Sequence, residues 1–296
     1  LGRLNERGWK IDLWAMEPCY CRRCRAAFTI KTRLVKPPAD PADPNWPAWW
    51  NFTRESFEEY AAHYCQAIHR HSPGVLICSN WLQTFRHPGE PKVPTDWISG
   101  DNTAVWGVDS ARCEARFIST RGKPWDIMMW CFYFSHGWLG EPDWAPAMKP
   151  VQMLQQEAAV VVAFGGNVQT CENPFAKVRT GRLIPWHMKR IGELARFVKR
   201  RHTLCQDAVT IPQVAVLHSE HHVRATPNGK NLMWNIDVTP VQGAVFSLLE
   251  CHYGVDILDE WALLPRLSDF PVVVAPEQDA MSEAMVQALK EYVKAG

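Results

Sequence analysis

The sequence predicts an α/β protein of two units, a β/α-barrel-type unit over residues 1–207 and an open three-layer α/β unit over residues 208–296. Three observations point there. Short apolar runs alternate with helical patterns along the first two thirds of the chain. After "CQDAVTIPQ" the pattern starts afresh with a second series of runs, too short for half a barrel but suited to an open sheet. Polar residues gather where the apolar runs end, and in parallel β/α folds those strand ends carry the site.

In chain order, "WKIDLWAM" (9–16), "GVLICSNW" (74–81), "DWISGDN" (96–102) and "WDIMMWCFYF" (125–134) read as strands. Between the first two, Phe57, Tyr60, Ala61, Tyr64 and Ile68 share one helix face, closed by Ser72-Pro73-Gly74. A helix opens after Pro150 and runs into the strand expected within "EAAVVVAFGGNVQ" (157–169). Residues 183–204 form an amphipathic surface helix, striped by Ile184, Met188, Ile191, Leu194 and Val198. In the second unit 214–219, 255–261 and 270–277 read as strands, 239–254 and 282–296 as helices, with Gly296 where a C-terminal cap falls. The segment "KPPADPADPNWPAWWNFTRE" (36–55) has no period, and is expected as a long loop over the catalytic face.

Composition narrows the function. A chain of 296 residues, 47% hydrophobic, can bury a large core. Thirty-two Lys and Arg against 31 Asp and Glu leave no field of one sign to gather nucleic acid or an anionic membrane, so neither is an expected partner. No apolar run is long enough to span a membrane, and neither unit has a Gly-rich phosphate loop after its first strand. Fifteen Trp suit a sugar-binding cleft. The ten Cys fit no small disulfide framework, and Cys78, Cys131 and Cys251 lie in apolar runs, which favours a reducing, cytoplasmic setting. Both ends, "LGRLNERGWKID" and "YVKAG", read as cuts in a longer chain, so localisation stays open.

Reading each run to its end gives Asp12, then Asn80, Asp101 with Asn102, His136, Asn167 and Glu172. Carboxylates, amides and tryptophans at a barrel mouth fit glycoside hydrolysis, which sets two carboxyl groups across the anomeric carbon and needs no cofactor. Asp12, among Trp9, Ile11, Leu13 and Trp14, is the first catalytic candidate; its alternative role is to anchor a loop. Glu172 and Asp101 are candidates for the second carboxyl group, each equally readable as a turn or cap residue. Trp14, Asn80, Asn102, Trp130, His136 and Asn167 are candidate contacts to a carbohydrate substrate. Asp126 stands near the start of its strand and is set aside.

Cys19, Cys21 and Cys24 give C-x-C-x-x-C, a spacing that suits a structural zinc ion with a fourth ligand from elsewhere. Three reduced thiols without metal are the alternative. A thiol–disulfide role for Cys21 and Cys24 is disfavoured, because the motif does not read as opening a helix in a thioredoxin-type pattern.

The run "GWKIDLWAMEPCYCRRCRAAF" resembles the fourth strand and cysteine loop of the glycoside hydrolase family 42 β-galactosidases, and "FPVVVAPEQDAMSEAMVQALKEYVKAG" is similar to the end of their trimerisation domain. The resemblance implies the C-terminal portion of a (β/α)8 TIM barrel, about strands four to eight. It implies next a glutamine-amidotransferase-like, flavodoxin-like domain, a metal role for the cysteines, and homotrimers. Where those enzymes carry Asn-Glu this chain has Leu13 and Trp14, and "IMMWCFYF" holds no carboxylate, so neither of their catalytic residues carries over. A strand four ending in Asp is more like the family 29 α-L-fucosidases, which implies that Asp12 is the nucleophile of a retaining glycosidase, with Glu172 or Asp101 as proton donor. A barrel that binds carbohydrate without cleaving it is the competing expectation.

Overall fold

The computed structural model describes residues 3–5, 8–10, 19–80, 82–102, 107–134, 146–172, 183–227 and 236–296. It is a mixed α/β structure with two parallel sheets. In the first, Cys78–Asn80 (β3), Trp97–Asn102 (β4), Trp125–Trp130 (β5) and Asn167–Cys171 (β8) lie side by side in chain order, all parallel. Gly107–Ile118 (α3) and Val151–Ala163 (α4) return the chain between β4, β5 and β8, and Pro185–Cys205 (α5) follows β8. Each strand thus lies beside its predecessor, the winding that a barrel uses.

Alternation along β5 shows how this sheet is two-faced. Trp125, Ile127 and Met129 are buried against the helices, while Asp126, Met128 and Trp130 lie half-buried on the other face. By register, Ser99 and Asp101 on β4 and Asn167, Gln169 and Cys171 on β8 share that second face. It is the polar face, and it carries the candidate site.

Several expectations change. Gly8–Lys10 (β2) pairs antiparallel with Arg3–Asn5 (β1), so the described part of the first apolar run forms a local hairpin and does not join β3. A partner only a few residues away costs little chain entropy to reach. The run 125–134 divides at Cys131: its N–H bonds to the Cys171 carbonyl at 2.9 Å, and beyond it Phe132–Phe134 (β6) turns into an antiparallel pair with Pro146–Met148 (β7). In 157–169 the helix takes the Val and Ala residues through Ala163, leaving only 167–171 as strand.

The segment 36–55 is not loop throughout, because a helix of 26 residues, Trp46–His71 (α2), starts inside it. Pro47 sits in the first turn, where its missing N–H costs nothing. Trp46, Trp49 and Trp50 are buried; Trp49 stacks on Phe52 and meets Phe28 of Arg22–Thr32 (α1) edge-on. Trp46 and Trp49 build a satellite core with Phe28 and Phe52, and Trp50 joins the main core, so none of the three is a sugar platform. Of the expected stripe, Phe57, Tyr60, Tyr64 and Ile68 face outward and Ala61 packs inward, while Arg54, with Glu58 beside it, and Cys65 line the inner face.

One fully buried ion pair anchors the β6–β7 hairpin. Lys149 Nζ lies 2.9 and 3.0 Å from the Glu157 carboxylate oxygens, and the Lys149 N–H bonds to the Cys131 carbonyl. Lys149→Met would strand the Glu157 charge, an expected loss of about 3–5 kcal/mol. Urea unfolding of that variant, beside Lys149→Met/Glu157→Leu, checks this: the double variant should recover most of the loss.

The second unit is a three-stranded parallel sheet ordered Val255–Leu258 (β10), Val214–Leu217 (β9), Val272–Val274 (β11). The first strand lies in the middle, so winding reverses there, as in open doubly wound sheets. Thr239–Glu250 (α7) and Glu283–Ala295 (α9) flank it, and Ser282 caps α9 by accepting the Met285 N–H. At the strand ends the chain satisfies itself. Ser219 caps Glu220–Ala225 (α6), Gln278 accepts the Ser219 N–H, and Glu260, opening Glu260–Leu263 (α8), bonds to Ser219 Oγ and the Glu220 N–H. The main apolar core runs on between the units, from Ile98, Phe117 and Ile127 to Val216, Val245 and Ile257.

Candidate active site

Asp101 stands next to the end of β4 on the polar face, 1% exposed. Two donors hold its carboxylate: the Trp130 indole N–H at 2.9 Å from β5, and the Asn80 amide at 3.3 Å from β3. Burial pushes its pKa up to about 7, against the pull of those two donors and with some help from the Asp126 charge. A carboxyl group poised near neutrality at a strand end can donate or accept a proton at physiological pH. Trp130 and Asn80, expected to touch substrate, thus touch Asp101.

Glu172 follows β8 at the same end of the sheet. One of its oxygens bonds to His187 Nδ1 in the first turn of α5, and the other, buried, has no partner among the described residues. His187 is braced edge-on against Trp186, ring centroids 3.9 Å apart. Cys171, at the end of β8 beside Glu172, has its thiol raised by burial and then by the Asp101 and Glu172 charges. The structure therefore brings Asn80, Asp101, Trp130 and Glu172 to one end of the sheet.

The other candidates lie elsewhere. Asn102 is fully buried; by strand alternation it points to the helix side, its amide atoms without a partner among the described residues. Asn167 begins β8 in register with Asp126, below the level of Asp101. Asp126 itself accepts from Ser99 Oγ and the Trp97 indole, a structural role. Asp12, Trp14 and His136 lie outside the described residues. Two further groups escaped the sequence reading. His187 is remote in sequence from Glu172, and Glu114 on α3 lies behind β4, fully buried, with its pKa pushed up to about 7 by burial. Glu114 accepts the Phe85 N–H, and the Asp101 charge adds to its shift.

At the start of α1, the Cys19, Cys21 and Cys24 sulfurs lie within 4.8 Å of one another. Here the structure corrects the sequence reading, because this motif does open a helix. Cys21 is the N-cap of α1, its sulfur accepting the Cys24 N–H at 3.5 Å. Hydrogen bonds, first from the Cys24 backbone, hold the Cys21 thiol down at about 7, while burial pushes Cys24 up to about 12.

No protein-family model matches the chain, and no curated protein matches it. Among solved structures its fold is that of glycoside hydrolases. It is similar to α-L-fucosidase isoenzyme 2 from Paenibacillus thiaminolyticus, with a TM-score of 0.67 and 21% identity over 96% of this chain and 40% of that one. It is similar also to the β-galactosidase from Bacillus circulans sp. alkalophilus, with a TM-score of 0.69 and 14% identity over 94% of this chain and 48% of that one. The β-galactosidase of the Antarctic haloarchaeon Halorubrum lacusprofundi gives 0.67 and 15% over 94% and 49%. This chain spans less than half the length of each, and at such identities the likeness is one of fold.

Proposed function

We propose that the protein is a glycosidase in which Asp101 is the proton-donating carboxyl group. The observation that carries this is the Asp101 site: a buried strand-end carboxyl with its pKa near 7, cradled by Asn80 and Trp130. On this reading residues 1–207 form about strands four to eight of a TIM barrel, and residues 208–296 the trimerisation-like domain of a homo-oligomer. Asp12 attacks the anomeric carbon, Asp101 protonates the departing oxygen, and Asp101 then takes a proton from the water that releases the sugar. Glu172, clamped by His187, offers its second oxygen to a sugar hydroxyl or serves as the alternative acid.

Trp130 and Asn80 tune the proton on Asp101. Both donate to the carboxylate and so favour its ionised form. In Trp130→Phe the Asp101 pKa should rise further, and the alkaline limb of the pH profile of kcat/KM should move to higher pH. An unmoved limb would separate Trp130 from the acid. The reading itself is tested on aryl α-L-fucosides, β-galactosides and α-galactosides, beside Asp12→Asn: at least one series should be turned over, and the variant should not turn it over.

The cysteine cluster fits a soft metal. Three thiols within 4.8 Å of one another need to close up only by about an ångström to reach the spacing that Zn–S bonds of roughly 2.3 Å impose. Cys19, Cys21 and Cys24 would then supply three ligands of a structural zinc bracing the start of α1. Zinc retained through gel filtration and lost in Cys21→Ser is the expected result.

A further inference from the structure

We infer that Cys21 and Cys24 form a reversible dithiol–disulfide couple, a modification site distinct from the carboxylate site. Three features of the geometry point to it. Cys21 is exposed, at the N-cap of an 11-residue helix, with its sulfur receiving the Cys24 N–H. Cys24 stands in the first turn of that helix, partly sheltered, three residues on, where side chains face one another. The two sulfurs lie within 4.8 Å, so a bond of about 2.05 Å needs rotamer changes at the first turn of α1. The rest of α1 stays seated through Phe28 on Trp49 and Phe52.

The oxidant is a small-molecule disulfide. The Cys21 thiolate attacks one of its sulfurs, the reagent's S–S bond breaks, and one thiolate leaves, giving a mixed disulfide on Cys21. Cys24, losing its proton as it attacks, then bonds to Cys21 Sγ, forming the Cys21–Cys24 bond and expelling the second reagent thiolate. Two electrons pass from the protein to the reagent, and the two cysteine protons end on the two released thiols. A disulfide here also removes two of the three thiols that a metal would need, so oxidation and metal binding exclude each other.

Cys251 supplies an internal reference, being exposed in the second unit and outside any thiol cluster among the described residues. The protein is treated with a chelator, incubated with oxidised glutathione, alkylated, digested and read by mass spectrometry. The expected products are a peptide with Cys21 joined to Cys24 and free of glutathione, and Cys251 carrying glutathione. Cys24→Ser should trap glutathione on Cys21. Persistent glutathione on Cys21 in the unmodified protein would overturn the inference, as would a Cys19–Cys21 disulfide in its place.

Discussion

Asp101→Asn is expected to make the protein more stable above neutral pH while removing 10²–10⁴-fold of its activity, roughly the contribution of a positioned acid. The stability half follows from linkage. The Asp101 pKa is raised from 3.8 unfolded to about 7 folded, so between those values the native state holds a proton that the unfolded chain has released. Stability from this group is full below about pH 4 and is lost as pH rises to about 7, a slope on the order of 4 kcal/mol in all. The amide cannot ionise, so the slope vanishes in the variant. Asn80 can turn its own amide to accept where it now donates, which keeps the cradle satisfied. Urea midpoints at pH 5 and pH 8 check the prediction. Parent and variant should diverge with rising pH, the variant gaining by roughly 1–2 kcal/mol at pH 8. A variant that loses stability at both values would make Asp101 a structural residue.

Asp259→Ala should cost about 3–5 kcal/mol, because it leaves a buried arginine without its counter-charge. Arg121 and Asp259 are both completely buried and 2.8 Å apart, and burial already lowers the Arg121 pKa. Between them they hold the backbone of Gly89: Asp259 accepts its N–H at 2.6 Å and Arg121 donates to its carbonyl. Gly89 is at φ 127°, and a Cβ there would fall 2.6 Å from the Glu220 carboxylate. His218, kept neutral by burial that brings it down to about 4, donates to the Phe85 carbonyl of the same loop. The second unit therefore clamps the loop between Asn80 and β4. In Asp259→Ala the amides of residues 85–87 and of Gly89 should exchange with solvent much faster than those of α4. Exchange unchanged in that loop, with stability intact, would show that the clamp is redundant.

Much of this fold is visible in the residue pattern because parallel strands are short apolar runs whose ends are polar. Val214–Leu217 and Val255–Leu258 are buried on both faces and read so. Asp101 stood out because it directly follows such a run. What escaped was decided by long-range partners. The aperiodic Pro- and Trp-rich segment 36–55 hid the start of α2, although the first turn of a helix accepts Pro47. The residues that share one face of α2 in the sequence pattern lie mostly outward, and the inner face belongs to Arg54, held by the Pro88 carbonyl and Glu58. Cys131 gave no sign of ending β5, since the bond that turns the chain goes to Cys171. His187 finds Glu172 only through the packing of α5 beside β8. The helix at Cys21 was hidden because a sulfur cap has no counterpart among the usual capping residues.

The dependence of kcat/KM on leaving group tests the role of Asp101 most directly. A nitrophenolate departs without help from an acid, whereas an alkoxide does not. With Asp101 as proton donor, Asp101→Asn should lose far more activity on a methyl glycoside than on the nitrophenyl glycoside of the same sugar. Equal losses on the two substrates, or no loss on either, would contradict it.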